Sequence, residues 1–372
     1  MNKSKSKPTL LEHPLMGVNI KTLLASLKKY GGVPGYAYGH LLIFLGSALA
    51  RAPFNLLDQW KMRNVQPLQE LEAPVFIVGY WRSGTTHLHN LLGQNPEFGI
   101  ITPLASGLPG ELLTLATWLE PLLVRGLPED RGVDGVAVTP ESPQEDEIPV
   151  ANMQTLSVFY SLYFGNNFAD RFNYGVFWDG ASTEEIEHWK QQMIYFLAKV
   201  ARHQKKQPLL VKNPVYTTRI DVLRKIWPKA KFIHIYRNPY TVYHSTVRYY
   251  KNMLQTLSLQ PYSEQDIEDI VQTSYPRMLK KLNDDVSDLP AKQFQEVRYE
   301  DLDAQPLEVL EYVYANLDLP SWEIAKNLTA SYLKKIAGYK KNPHNYKSNL
   351  KRVVDENWGE FINKWDYSFP AE

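Results

Sequence analysis

Two short stretches of this sequence carry residue types suited to holding an anion. The first is Gly79-Tyr80-Trp81-Arg82-Ser83-Gly84-Thr85-Thr86. Its glycines let the backbone turn with N–H groups facing inward. A helix N-terminus behind the loop adds a partial positive charge, and together these cradle a phosphate or sulfate. The spacing is that of a Walker A loop, Gly-x-x-x-x-Gly, but Thr85 replaces the lysine after the second glycine. The cation is Arg82, inside the loop. A nucleoside triphosphatase needs that lysine, and an aspartate for Mg²⁺, whereas the later strand here ends in Tyr236-Arg237. A planar guanidinium suits the oxygens of a transferred tetrahedral group. The second stretch is Arg237-Asn238-Pro239, with Ser245 about two turns into the helix that Pro239 opens. Two anion sites at neighbouring strand ends fit a nucleotide phosphorylated at two separate places.

Both motifs need a rigid frame, and the flanking pattern supplies one. Val75-Phe76-Ile77-Val78 is a continuous apolar run of the kind buried on both faces of a parallel sheet. Thr85 to Leu92 then carries apolar residues at helical spacing, closing near Gly93, so the first motif is the turn of a strand–loop–helix unit. Leu209-Leu210-Val211 repeats the pattern through Lys212-Asn213-Pro214, and Phe232 to Tyr236 repeats it through Arg237-Asn238-Pro239. Glu296 to Tyr299 is a last strand. Ser182 with Glu185, and Ser263 with Asp266 in place of glutamate, read as capping boxes opening helices. The helix behind Ser182 runs to about His203 and buries Trp189, Met193, Phe196, Leu197 and Val200. The expected fold is α/β: a P-loop-like, mostly parallel sheet flanked by helices, with a helical N-terminal extension over 1–72 and the α/β domain over 73–372.

Composition narrows the function classes. The 372 residues are 44% apolar and 22% charged, ordinary globular values that exclude wholesale disorder. Lys+Arg 41 against Asp+Glu 40 leaves a net charge of +1, so nucleic acid is not expected as a partner and any anion site must be local. The absence of cysteine excludes disulfides, thiolate zinc sites, iron–sulfur clusters and a cysteine nucleophile. No cleaved signal peptide is expected after the basic N-terminus, and a cytoplasmic chain follows. The greasiest run, His40 to Ala50, has eleven residues before Arg51 and Pro53, short of the roughly 20 that cross a hydrocarbon core. It reads either as a buried helix or as a segment lying on a membrane surface, helped by Lys21, Lys28, Lys29 and Arg51. Oligomeric state is not legible.

The motifs resemble those of sulfotransferases that use 3′-phosphoadenosine 5′-phosphosulfate (PAPS), more closely a large, mainly bacterial sulfotransferase-like group. Arg82 to Thr86 is followed by Leu88 to Leu92, then by Glu145-Asp146-Glu147 and the Lys212-x-Pro214 turn. Arg237-Asn238-Pro239 with Ser245, Tyr299-Glu300-Asp301-Leu302 and His344-x-Tyr346 complete the order, so the resemblance spans 75–346. It implies PAPS as co-substrate, with no metal. It also implies Arg82 on the bridging oxygen and sulfuryl group, and Ser83, Gly84, Thr85 and Thr86 on the 5′-phosphate. Arg237 and Ser245 would hold the 3′-phosphate, and Lys212 would be a further cation near the sulfuryl group. His87 departs from the group's pattern, which is apolar or aromatic there.

Sulfuryl transfer to an alcohol also needs a general base. Glu145 and Glu147 of the acidic cluster are the first choice, since a partly desolvated carboxylate has its pKa raised toward the task. Otherwise the cluster is a solvated loop or pairs with Arg82 or Lys212. His87 and His89 are alternatives on the helix after the loop, where a histidine is more often a packed core residue. His234, mid-strand, is structural, and His244 and His344 fall on the nucleotide side. Acceptor specificity is expected in the insertion at about 103–180, whose aromatics from Tyr160 to Trp178 read as pocket lining or as core. The reaction expected is sulfuryl transfer from PAPS to a hydroxyl of a small molecule, lipid or carbohydrate. A P-loop kinase and a non-catalytic nucleotide-binding scaffold are the alternatives.

Overall fold

The computed structural model describes residues 12–123, 139–337 and 349–370. One parallel sheet holds β1 Val75–Val78, β2 Gly99–Ile100, β3 Leu209–Lys212, β4 Lys231–Tyr236 and β5 Phe294–Arg298, in the order β2-β3-β1-β4-β5. Every residue of β1 and β3 is buried, as the apolar runs Val75–Val78 and Leu209–Val211 require when helices cover both faces, and Lys212 is buried at the end of β3 against Glu145. One face packs Phe76, Val78, Val211 and Phe232, and the other Ile77, Leu210, Ile233 and Leu310. The register sets Ile77 beside Lys212, Val78 beside His234 and Tyr236 beside Arg298. Four strands therefore end side by side, and ligands of open parallel sheets bind outside such ends.

The longer helices that bear on the argument are α1 Ile20–Tyr30, α2 Tyr38–Met62, α3 Thr85–Leu92, α4 Thr183–Gln204, α5 Pro239–Leu257, α6 Glu264–Val286 and α7 Leu350–Lys364. The α4 capping box forms in both directions between Ser182 and Glu185, and the five apolar residues expected on its inner face are fully buried. At α6 the pattern fails, because Ser263 makes no side-chain capping bond and Asp266 is one methylene shorter than the glutamate that reaches back. β5 ends at Arg298, and Tyr299 opens a short helix, Tyr299–Ala304, instead of closing the strand.

Residues 12–72 share the main core. Leu15, Val18, Leu23, Tyr30, Phe44 and Met62 are buried in the cluster that also holds Phe76 and Trp189. α2 has 25 residues, so the apolar run from His40 to Ala50 is less than half of it. By length and composition α2 is sufficient to cross a membrane, and the eleven-residue limit does not hold. Arg51 and Pro53 lie inside this helix. Arg51 fits there because it points inward, where Nη1 meets Glu111 at 2.7 Å and Nη2 donates to the carbonyls of Met16 and Val18. One turn pair further on, Asp58 accepts from Lys199 Nζ at 2.6 Å, with both side chains wholly buried.

The aromatic stretch is core. Tyr160, Tyr163, Phe164, Phe168 and Phe172 are fully buried and pack on one another, on Tyr30 and on Tyr250. The guanidinium of Arg219 lies 4.6 and 4.4 Å from the ring centroids of Trp178 and Trp189, which pack edge-to-face on each other.

Candidate active site at the carboxyl ends of the strands

The chain leaves β1 through a turn that bends back on itself. Arg82 adopts φ +68° and Gly84 φ +99°, and Ser83 N donates to Tyr80 O. Gly79 N donates to Thr217 Oγ1 at 2.8 Å, tying the loop to the segment after β3. Gly84 is the N-cap of α3 and brings no side chain to cover the helix end, whose first N–H groups lie outside the helical ladder. Glycine is required at this position twice over, by the left-handed φ and by the approach of Tyr299. A Cβ there would lie 2.3 Å from Tyr299 Cδ2.

The turn opens on a cavity of about 1260 Å³. Arg82, Gly84, Thr85, Thr86 and His87 line it from one side, and Arg237 and Ser245 from the next strand end. Arg82 Nε donates to Ser245 Oγ at 3.0 Å, so the two anion motifs, 163 positions apart in sequence, meet directly. The Arg237 guanidinium lies over the Tyr299 ring, 4.2 Å from its centroid. Asn238 fixes the turn behind it by accepting from Tyr240 N and by donating its own N–H to Glu300. Among the described residues, five cationic side chains line the cavity, Arg82, Lys206, Arg237, Arg248 and Lys335, against two acidic ones, Glu141 and Asp303. A protein of near-zero net charge thus concentrates positive charge at one place, which suits a polyanion.

Comparison with known proteins decides what kind of site this is. The family model described as the sulfotransferase family matches residues 74–323. The chain belongs to the sulfotransferase family. It is 32% identical over 296 residues to omega-hydroxy-beta-dihydromenaquinone-9 sulfotransferase Stf3 of Mycobacterium bovis, covering 80% of this chain and 76% of that one. The same figures hold for the protein of that name from Mycobacterium tuberculosis. Among solved structures, the sulfotransferase STF9 from Mycobacterium avium superposes with a TM-score of 0.66 at 14% identity, over 96% of this chain and 98% of that one. The sulfotransferase STF1 from Mycobacterium tuberculosis superposes with a TM-score of 0.62 at 18% identity, over 91% and 90%. These two likenesses establish the α/β fold expected from the sequence. The enzyme is a transferase of sulfuryl groups, a family whose donor is PAPS, and the kinase and scaffold readings give way.

The sulfotransferase's acidic cluster divides into three different environments. Lys212, at the end of β3, is buried and pairs with Glu145, and its Nζ also reaches Thr86 Oγ1 at 3.5 Å. Glu145 keeps about a quarter of its side chain exposed, at 26%. Asp146 is fully buried, bonded by Tyr216 and by Asn213 Nδ2, and burial pushes its carboxyl up to about 7. Glu147 is buried as well. It accepts from Ser157 Oγ at 2.7 Å, Asn213 Nδ2 at 2.8 Å and Val158 N at 3.3 Å, and it does not line the cavity. Thus the carboxyl raised by desolvation is Asp146, and Glu145 is the member tied to the loop, through Lys212 and Thr86, although neither Glu145 nor Lys212 lines the cavity itself. His87 lines the cavity with its ring edge-on to Tyr299, on the side that carries Arg237. His89 is fully buried in α3, and His234 is buried against Glu296. Ser83 is buried in the turn and does not line the cavity. His344 and Tyr346 lie outside the described residues.

Sequence reasoning passed over several residues of this wall. Arg248, Tyr249 and Asn252 follow Ser245 on one face of α5, and Asn90 on α3 and Gln94 in the turn after it follow Thr86 and His87. The i+3, i+4, i+7 rule applied to Ser245 finds the first three. Tyr299 was visible at the end of the last strand, but as part of the strand. From the 103–180 insertion, Thr139, Glu141, Ser142 and Pro143 reach the cavity, and the aromatic stretch does not.

Proposed function

We propose that this sulfotransferase binds PAPS with the 5′-phosphosulfate against Arg82 and Gly84 to Thr86 and the 3′-phosphate against Arg237 and Ser245. It transfers the sulfuryl group to the hydroxyl of a lipid alcohol. The observation that carries the donor assignment is the Arg82–Ser245 hydrogen bond, which brings both anion motifs into one positively lined cavity. The lipid class is suggested by the Stf3 relatives, whose name describes a hydroxylated menaquinone.

In the proposed step the acceptor oxygen forms a bond to sulfur as the bond from sulfur to the bridging phosphate oxygen breaks, and 3′-phosphoadenosine 5′-phosphate (PAP) leaves. The acceptor proton passes to the Glu145 carboxylate. Arg82 and the α3 N-terminus stabilise charge on the leaving phosphate by fixed electrostatics. Lys212 lies between Glu145 and Thr86, so its ammonium is placed to serve the sulfonate oxygens once the donor is present. Glu147, held in the core by three hydrogen bonds, positions the segment instead of taking the proton. No metal takes part in this proposal.

Calorimetric titration with PAP, alongside ATP and ADP and with chelator present, tests the donor. PAP binding that collapses in Arg237→Ala is the expected result, and a preference for ATP with Mg²⁺ would remove the assignment. Radiolabelled PAPS offered with long-chain isoprenoid alcohols in detergent and with soluble sugars then separates lipid from carbohydrate acceptors.

A further inference from the structure

The solvent side of α2 is apolar. Tyr38, Leu42, Leu49, Leu56 and Trp60 are 58%, 69%, 56%, 65% and 59% exposed, and their spacing of four, seven, seven and four residues places them on one stripe. Two of the helix's three charges point the opposite way, Arg51 on Glu111 and Asp58 on Lys199, both inside the protein, and the third, Lys61, is exposed in the last turn. This inverts the usual arrangement of a surface helix, in which charges meet water and apolar residues meet the core. Of the fourteen large apolar side chains exposed among the described residues, seven lie between Tyr36 and Trp60, so the exposure is a patch and not scatter. Trp118 and Leu122 continue it next to the turn where Lys61 Nζ donates to Leu113 O.

The rim of the stripe is basic. Lys61 and Arg63 are exposed at its C-terminal end, with the Arg63 guanidinium 4.6 Å from the Trp60 ring, and α1 exposes Lys21 and Lys28 alongside. Between positions 35 and 63 the sole acidic residue is Asp58, which is buried. An apolar stripe bordered by cations, with an aromatic residue at each end, matches the boundary between anionic headgroups and acyl chains.

We propose that α2 is an in-plane membrane anchor whose Tyr38–Trp60 stripe inserts into the surface of an anionic bilayer. The helix lies along the bilayer and does not cross it. Crossing would strip Arg51 from Glu111 and Asp58 from Lys199 and leave four charges unpaired. Stacking two copies stripe on stripe would set the Lys61 and Arg63 rim of one against that of the other, while Asp58, the sole acid of the helix, stays buried. The anchor stands without the lipid-acceptor reading, but it gives that reading a route. Thr102 lines the cavity, and Gly110, eight residues on, packs against Asn55 of α2. The chain length between them limits the separation to about 28 Å.

Flotation of the full chain with phosphatidylcholine–phosphatidylglycerol vesicles in about a 7:3 ratio, free of any acceptor, tests the anchor independently of catalysis. The wild-type protein is expected to float with the vesicles. A Leu42→Glu/Leu49→Glu/Leu56→Glu variant is expected to partition at least about tenfold less, with PAP binding and melting temperature retained. These side chains are exposed, so the variant keeps its core, and Leu49→Glu alone serves as a milder version if the triple aggregates. Wild-type protein that stays in the aqueous fraction overturns the proposal, as does a triple variant that floats equally well. A wild-type dimer in light scattering that the triple variant dissolves would assign the stripe to a second copy and overturn it too.

Discussion

Replacing Gly84 with alanine tests the architecture of the donor site with a single methyl group. The new Cβ would sit 2.3 Å from Tyr299 Cδ2 and 2.9 Å from Cε2. Ordinary carbon contacts begin near 3.5 Å, so the ring must retreat by roughly 1.2 Å. Tyr299 is the surface on which the Arg237 guanidinium rests at 4.2 Å, so a displaced ring displaces the cation assigned to the 3′-phosphate. Misplacement of about 1 Å in a binding group costs on the order of a hundredfold in rate. The left-handed φ of +99° adds strain of about 1–2 kcal/mol for an L-residue, read in stability. Calorimetric titration with PAP should therefore show a complex roughly 10- to 100-fold weaker for Gly84→Ala. Combining it with Tyr299→Ala provides the control. Without the ring, Gly84→Ala should cost stability through φ alone and little further affinity. Additive losses of affinity across the two variants would show that the methyl acts elsewhere, and unchanged PAP binding in Gly84→Ala would refute the reasoning outright.

Three further outcomes follow from buried or partly buried charge. Lys199→Met leaves Asp58 charged and buried where Lys199 Nζ had met it at 2.6 Å, so urea unfolding should show a loss of about 3–5 kcal/mol, much of it recovered in Lys199→Met/Asp58→Leu. Asp146 holds its proton to about pH 7 when folded but releases it near 4 when unfolded. The folded state then binds the extra proton, so its contribution to stability is full below pH 4 and is lost as pH rises toward 7. Asp146→Asn should flatten that part of the melting-temperature profile. Glu145→Gln should lower kcat by about 10²- to 10⁴-fold with PAP affinity little changed, measured with radiolabelled PAPS. An equal loss in Glu147→Gln without any loss of melting temperature would move the base to the other carboxylate.

Much of this frame was legible because buried parallel strands announce themselves as unbroken apolar runs. Val75–Val78 is such a run, Phe232–Tyr236 is one interrupted only by His234, and each hands its following turn to the site. Arg82, Arg237 and Ser245 were legible for the same reason, since strand ends in such sheets are where ligands go. Strand order was not legible, because nothing local in β2 tells it to sit beside β3. The extent of α2 was hidden by Arg51 and Pro53, which look like stops until Glu111, sixty residues later, supplies the partner that lets Arg51 point inward. Glu145, Asp146 and Glu147 are three consecutive carboxylates whose roles separate only in space, through Lys212, Tyr216 and Ser157. Adjacent residues of one charge type carry no signal of which will face water.

The site draws on Arg82 after β1, Lys212 at the end of β3, Arg237 after β4 and Tyr299 after β5. These positions span more than two hundred residues of chain, and they come together only as β1, β3, β4 and β5 pair. Non-local parallel pairing is slow, because each closure costs chain entropy before any contact rewards it. A nascent chain halted before β5 emerges therefore lacks Tyr299, the ring on which Arg237 rests, although the residues assigned to the donor precede it. PAPS or PAP would act as a late ligand of folding, binding the finished sheet and adding about 2.7 kcal/mol at a hundredfold excess over its dissociation constant. The cell's supply of sulfate donor would then set the lifetime of the enzyme as well as its turnover.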